Sequence, residues 1–417
     1  MKHTPLIDAH RNAQGKLVDF AGWEMPIHYS GVVDEYQTVR HHAGLFDVSH
    51  MGRIRVAGPG SLAFLQRVTT NEVSKLSVRQ SQYSMVCAPD GGIKDDIFIY
   101  HVKPYEFLVC VNASNREKIV AWLHEKVAYA QGCTVQDQST AFAQVAIQGP
   151  ASREILTAAG VTDLHLLKIR HCLGAVLCGQ PTLVTRTGYT GELGYELYFP
   201  AEGAMTIWNR LLEAGQPLGM KPAGLGARDL LRLEMAYLLY GNDMDEHTTP
   251  IEAGADWVVK FDKGEFIGRT TLLAQHSNGP SRRLVAFELV EKAVPRHGFK
   301  ILSAQAPHAE IGEVTSGNLS PILQKGIGMG YVTPAAAQPG SSILIDIRGK
   351  SCPAVVVKPP FYKKHSGTPY PVPHGQTYLQ RRGRHAQRRD GTPAERAYDR
   401  SGSHTPSRGV RCRAVEG

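Results

Sequence analysis

GGIKDDIFIY, residues 91–100, is the stretch on which the reading of the fold turns. Ile93, Ile97, Phe98, Ile99 and Tyr100 make a buried strand entered through a Gly-Gly turn, rich in the side chains that favour pleated structure. Asp95 and Asp96 sit at its mouth, where Val or Thr would be ordinary. Side chains alternate across a strand, so Asp95 shares a face with Ile97 and Ile99, and Asp96 shares the other with Phe98 and Tyr100. EFLVCV (106–111) follows after a short turn at Lys103, Pro104 and Tyr105. Strands joined in this way run antiparallel, which brings the start of one beside the end of the other. Asp96 and Asn112 therefore meet at the open end of a hairpin whose register stays open. A carboxylate and an amide over two aromatic rings suit a flat, nitrogen-rich heterocycle that donates its N–H groups to oxygen. The competing reading makes both aspartates turn residues that face water.

Outward from this hairpin, over residues 1–276, strand-like runs (GRIRVAG, AQVAIQG, PTLVTRTG, YELYFP) interleave with helical stretches. REKIVAWLHEKVAYA (116–130) and ARDLLRLEMAYLL (227–239) repeat apolar residues at three- and four-residue spacing. That mixture is the pattern of an α+β fold. After a polar break at SNGPSRR (277–283), short strands with frequent Gly and Pro fill 277–364, a pattern expected of a small β-barrel or sandwich. Residues 365–417 turn to Pro, Gly, Arg and His and are expected to be a disordered tail, an appended or out-of-frame extension; a nucleic-acid-binding arm is the rival reading.

Composition narrows the class. The 417 residues are 42% hydrophobic and 20% charged, as in a soluble globular protein of two or three domains. The net charge of +8 is misleading, because the tail holds ten Arg, no Lys and four acidic residues. The body carries 36 basic and 34 acidic residues, so no nucleic-acid partner is expected of it. No apolar run is long enough for a bilayer, no signal or transit peptide is visible, and the seven cysteines lack C-x-x-C spacing. The expectation is a cytoplasmic protein with reduced thiols, no membrane association and no metal.

Cofactor signatures fail in turn. GKS at 349–351 lacks the glycine a P-loop places before it, and GLGARD at 224–229 has Asp229 where a dinucleotide fingerprint needs its third glycine. Asp47, Ser49 and His50 of LFDVSHMG are too close in sequence on one strand for their side chains to converge as a triad. What remains are carboxylates and arginines. RTGYTGELGYELYF (186–199) puts Glu196 and Tyr198 on one strand face and Tyr195, Leu197 and Phe199 on the other. Glu196 needs either a ligand with N–H donors or an arginine partner. Arg228 opens a helix, where the dipole prefers an anion, so it calls for a carboxylate from a ligand or from Asp229 or Glu234; Arg232 lies one turn on. His247 sits in a polar loop, read as a solvated residue before a metal ligand. Met51 can pack on a flat ring or in the core.

Ten segments carry a resemblance when taken in order: TPLIDAH, DFAGWEMPIHY, LFDVSHMG, GGIKDDIFIY, QGP (148–150), RTGYTGELGYE, GLGARDLLRLE, YGNDMDEHTTPIEAG, EVTSG and IGMGYV. From residue 4 to 364 the chain resembles the aminomethyltransferase (T-protein) family of the glycine cleavage system. The resemblance implies a three-domain cloverleaf around a tetrahydrofolate pocket. It implies transfer of the methylene carbon from aminomethyl-lipoyl H-protein to tetrahydrofolate, giving 5,10-methylenetetrahydrofolate, ammonia and dihydrolipoyl H-protein. In that pattern Asp96 hydrogen-bonds the folate near N10 and orients N5 for attack. Glu196 contacts the pterin amino and ring N–H groups, and Arg228 is a folate-binding position. Met51, Tyr83, Asn112 and Tyr240 line the same channel. The family stops soon after a segment like PPFYKK (359–364), and the 53 residues beyond have no counterpart in it. The alternative is a non-catalytic folate-binding relative linked to iron–sulfur-cluster maintenance. That group carries a cysteine where KGEFIGRT (263–270) has Glu265.

Overall fold

The computed structural model describes residues 1–363, so the arginine-rich tail from His365 lies outside the described residues. Ile93–Lys103 pairs with Ser81–Cys87 on one side and Glu106–Val111 on the other; Gly52–Ala57 and Thr134–Asp137 complete a five-stranded antiparallel sheet. One face of it presents Ile54, Val56, Ile97, Ile99, Val109 and Val111. Helices Ser61–Val68 and Arg116–Val127 cover that face with Phe64, Leu65, Val68, Ile119, Trp122 and Leu123, an apolar stripe at helical spacing.

A six-stranded sheet runs in the order Cys172–Leu177, Gln180–Thr185, Gly194–Pro200, Phe142–Gln148, Gly44–Asp47 and Lys221–Pro222. Its outer face carries Leu45, Val145, Ile147, Tyr195, Leu197 and Phe199, packed under helices Ser152–Ala159 and Ala204–Gly215. The inner faces of the two sheets meet each other, Tyr100 and Cys110 against Cys172 and Tyr198, with Met51, Phe98 and Leu183 at the margins. The chain crosses between the sheets twice. Residues 48–51 join Gly44–Asp47 to Gly52–Ala57, and residues 138–141 join Thr134–Asp137 to Phe142–Gln148. The expected α+β class holds. No helix of the described residues is long and apolar enough to cross a membrane.

The C-terminal strands close into a six-stranded barrel: Arg283–Leu289, Lys300–Ser303, Glu310–Ser320, Lys325–Val332, Ser342–Ile347 and Lys350–Val357. Barrel, not sandwich, is the outcome, because the short strand Lys300–Ser303 pairs on both edges and closes the ring. That strand has only four residues in a polar neighbourhood and gives no periodic signal. The glycines of GIGMGYV have a packing reason. A Cβ at Gly328 would come within 2.5 Å of the Phe287 ring, and one at Gly330 within 2.7 Å of Ile301.

Helix Leu225–Glu234 joins these parts through buried charge. Glu234 is fully buried and accepts from Arg40 Nη2 at 2.6 Å, Tyr36 Oη at 2.8 Å and Ser320 Oγ at 2.5 Å. Arg232 donates to Asp243 and Asp229 at 2.8 Å each and to Ser316 Oγ at 2.9 Å. Thr315 and Ser316 are barrel residues, and Thr315 Oγ1 donates to Asp243 Oδ1 at 2.5 Å. The sequence reading carried this helix to Leu239, but it ends at Glu234. Ala236 takes a left-handed backbone conformation (φ 52°), and Asp243 accepts the Leu239 N–H that a longer helix would have bonded internally. The demand of Arg232 for Asp243 overrides the apolar periodicity.

Removing one partner of a buried pair strands the other charge. Arg40→Met is therefore expected to destabilise the chain by about 3–5 kcal/mol, read as a lower urea midpoint; an unmoved midpoint would show that Glu234 keeps adequate partners without it.

Candidate active site

Asp96 lies half-buried on the inner face of the five-stranded sheet. The register Phe98 opposite Cys110 brings it beside Asn112, as the hairpin geometry required. Its Oδ1 accepts Asn112 Nδ2 at 2.6 Å and its Oδ2 accepts Tyr83 Oη at 3.0 Å. Asp95 points to the helix-covered side and is fully buried. It accepts the Asn112 N–H at 3.0 Å, Asn112 Nδ2 at 2.9 Å and Asn115 Nδ2 at 2.6 Å. The alternative in which both aspartates cap a turn facing water is overturned, because the strand already begins at Ile93. Asn112 is the common donor that holds two adjacent carboxylates on opposite faces.

The electrostatics follow from this enclosure. Burial, the largest influence, pushes the Asp96 carboxyl up to about 6, with the bonds from Tyr83 and Asn112 pulling back. Asp95 is also pushed up, by burial first and the neighbouring Asp96 charge second. Lys94 and Lys118 both pair with Glu246 rather than with either aspartate.

Glu196 faces this group from the other sheet, half-buried. Its Oε2 accepts Thr187 Oγ1 at 2.5 Å and Tyr100 Oη at 3.2 Å. Tyr198 Oη donates to Tyr100 Oη at 3.1 Å, and Gln144 Nε2 donates to Tyr198 Oη at 3.1 Å. The arginine partner weighed for Glu196 does not occur among the described residues; hydroxyls hold it and leave Oε1 open to further donors. Arg228 stands in the first turn of its helix with the guanidinium 4.7 Å from the centre of the Tyr189 ring. Its expected protein partners are taken, Asp229 by Arg232 and Glu234 by Arg40. Among the described residues Arg228 thus has no carboxylate partner, and a half-buried arginine near a helix N-terminus is able to hold an anion.

The remaining expected residues are placed around these. Tyr240 and Tyr83 pack against the same cluster of Met85, Ile93 and Met244, and Tyr240 donates from Oη to the Ile93 carbonyl at 3.1 Å and accepts from Lys118 Nζ at 2.9 Å. Met51 touches both the Phe98–Tyr100 cluster and the cluster containing Phe46 and Leu230. Three residues that the sequence reading did not single out belong with them. Tyr189 lies within the influence of both Asp96 and Arg228 and stacks on Tyr237 (5.6 Å between ring centres); Trp257 stacks on Tyr83 (5.8 Å) and is 49% exposed; Thr187 holds Glu196. The glycine-rich RTGYTGE run contained the signal for Tyr189 and Thr187, since it marks a loop that approaches a ligand. Trp257 gave none beyond its place after the polar loop.

The rejected motifs stay rejected. Asp47 accepts from Thr4 and sits 2.9 Å from His10 Nε2, Ser49 Oγ donates to the Gln144 carbonyl, and the His50 ring packs edge-on against Phe20. His247 is an exposed loop residue whose N–H donates to Asp245. A surface cleft of about 760 Å³ lined by Pro150, Arg153, Glu154 and Arg186 contains none of the site residues.

Comparison with known proteins identifies the family. The GCVT N-terminal domain family matches residues 6–263, and the glycine cleavage T-protein C-terminal barrel domain family matches residues 282–363. An aminomethyltransferase from Halothermothrix orenii is 47% identical over 361 residues, covering 87% of this chain and all of the relative. One from Bacteroides thetaiotaomicron is 45% identical over 368 residues, with the same coverage. The crystal structure of glycine cleavage system aminomethyltransferase T from Bartonella henselae superposes with a TM-score of 0.81 at 34% identity, over 87% of this chain and 98% of that one. The protein belongs to the aminomethyltransferase family of the glycine cleavage system.

Proposed function

We propose that the chain transfers a methylene carbon from an aminomethyl-lipoyl group on the H-protein to tetrahydrofolate. Two bonds form, from carbon to N5 and to N10 of the folate, and two break, carbon to amine nitrogen and carbon to sulfur. The protons lost by N5 and N10 leave with ammonia and the dihydrolipoyl thiol. The observation that carries this reading is the grouping of two half-buried carboxylates, Asp96 and Glu196, with an arginine, Arg228, none of which forms an ion pair among the described residues. A pterin offers N–H donors to the former, and the folate's glutamate offers an anion to the latter.

In this reading Asp96, held by Tyr83 and Asn112, orients the folate near N10 and stabilises the positive charge that develops as the amine or sulfur departs. Glu196 takes the pterin amino and ring N–H groups. Met51, Tyr83 and Tyr240 supply the apolar and aromatic walls. Residues 1–276 then carry the folate region and 277–364 the barrel that flanks it. No metal, nucleic acid or membrane takes part, and the reaction is cytoplasmic. Glu265, where the iron–sulfur-linked relatives carry cysteine, is an exposed residue paired with Arg269 at 3.4 Å, which supports the transferase over the non-catalytic folate binder.

Single-turnover formation of methylenetetrahydrofolate tests the reading. Asp96→Asn is expected to lower the rate about 10²–10³-fold, the range for a preorganised electrostatic group, while tetrahydrofolate still binds. Equal rates would remove Asp96 from the chemistry, and wild-type protein that binds folate without product would favour the non-catalytic alternative.

The raised carboxyl of Asp96 gives a pH test with a defined sign. The charged form is populated only above about 6, so the wild-type rate should fall as pH drops through that value and Asp96→Asn should lack this limb. The same shift costs the folded state stability as pH rises from the ordinary carboxylate range to about 6. Asp96→Asn is therefore expected to melt no lower than wild type at pH 8, with activity lost and fold kept. A large drop in melting temperature would instead make Asp96 structural. Arg228→Met is expected to raise the folate KM by roughly 10-fold or more, as loss of a charge-assisted bond does, with kcat little changed. An unchanged KM would place the folate's anionic end elsewhere.

A further inference from the structure

Arg53 is 1% exposed and forms no ion pair among the described residues. Burying a guanidinium without a carboxylate is costly, so its hydrogen bonds must do something a leucine could not. It spends them on four backbone carbonyls. Nη1 donates to Ser49 O at 2.9 Å and to Met51 O, and Nη2 donates to Phe142 O at 2.9 Å and to Ser139 O. Its own N–H donates to Ser139 Oγ at 2.8 Å, and its carbonyl accepts the Gln138 N–H at 2.8 Å.

Those partners are not scattered. Ser49 and Met51 belong to the first crossover between the two sheets, and Gln138 and Ser139 to the second, with Phe142 where that second crossover meets its strand. One planar fork thus grips both connections at once, a geometry that suits guanidinium and not a point-charge ammonium. The first crossover is also tied to the strand that follows the second, since Ser49 Oγ donates to the Gln144 carbonyl and accepts the Gln144 N–H, both at 3.0 Å. Arg53 lies in register with Cys110 and Phe98, on the inner face and one row from Asp96. Gln144 starts the chain of hydrogen bonds through Tyr198 and Tyr100 that ends on Glu196.

We infer that Arg53 is a positioning residue for the transfer reaction: by clamping both crossovers it fixes the register of the two inner faces, and so the placement of Asp96 on one relative to Glu196 on the other. It touches no substrate. Its effect on folate is exerted through sheet placement and through Met51, whose carbonyl it holds. This inference rests on the tetrahydrofolate reading of the channel.

The test is Arg53→Lys, with Arg55→Lys on the same strand as control, since Arg55 bonds two side chains away from the site, Glu106 at 2.7 Å and Gln136 at 3.2 Å. Both are compared with wild type for circular dichroism, tetrahydrofolate dissociation constant by intrinsic fluorescence, and KM and kcat. In folded Arg53→Lys the dissociation constant and KM for folate should rise about tenfold or more, as displacement of aligned groups does, while Arg55→Lys stays within about twofold. The Arg53→Lys, Asp96→Asn double variant should lose less than the product of the single losses, because groups acting as one unit are not additive. A folded Arg53→Lys with wild-type folate KM and dissociation constant, or losses that multiply, would overturn the inference. A purely structural role would lower the folded fraction and leave KM alone, which also overturns it. Should Arg53→Lys not fold, Ser49→Ala decides: a folate KM raised about threefold or more is the expected result, on the same displacement argument, and a wild-type KM the contrary one. Wild-type protein that forms no folate complex would sink the functional reading and this inference together.

Discussion

Glu234 is a carboxylate without water, and the arrangement of the molecule depends on how its charge is met. Three donors reach it from two places: Arg40 and Tyr36 from helix Val32–His41, and Ser320 from the barrel. In a low-dielectric setting such a group tolerates little displacement of its partners, because each lost bond leaves charge unsolvated. The helix that ends in Glu234 is therefore held in rotation as well as in position. Arg228, less than two turns earlier, inherits that placement. The Arg228 guanidinium is placed by the bonds of a different residue on the same helix.

The interior between the sheets obeys an opposite rule. Asp96 and Glu196 are supplied with hydroxyls and an amide, and the cations that could have neutralised them are spent elsewhere: Lys118 on Glu246, Arg232 on Asp243, Arg40 on Glu234. Arg53 is an inner-face guanidinium close by, and its two Nη groups are committed to main-chain carbonyls. Unneutralised carboxylates beside stacked aromatic rings make a layer that attracts donors of N–H and stabilises transient cations.

Much of this was legible in the sequence, for physical reasons that can be named. Strand alternation alone placed Asp96 with Phe98 and Tyr100, and Glu196 with Tyr198, because a two-residue period leaves no other choice. Hairpin connectivity brought Asn112 to Asp96. The α+β class followed from the interleaving of periods, and the ten spaced segments pointed to the family. What stayed hidden depended on contacts distant in sequence. Nothing local says that Asp243 will stop the helix at Glu234, that Lys300–Ser303 will close a barrel, or that Arg228 will have no carboxylate partner among the described residues. Arg53 was invisible for the same cause: in GRIRVAG it reads as one polar residue of an alternating strand.

The double crossover has a consequence for synthesis. The whole five-stranded sheet is inserted between Gly44–Asp47 and its partner Phe142–Gln148, with Gly44 opposite Gln148. At ribosomal rates of about 5–20 residues per second, the earlier strand waits roughly 5–20 s for the later one to emerge. During that interval the inserted sheet, whose strands are close in sequence, can form first and bring residues 48 and 141 together. The bonds from Arg53 to Ser49, Met51 and Ser139 can then form before the six-stranded sheet is complete, so Phe142–Gln148 emerges with its pairing partner Gly44–Asp47 already close.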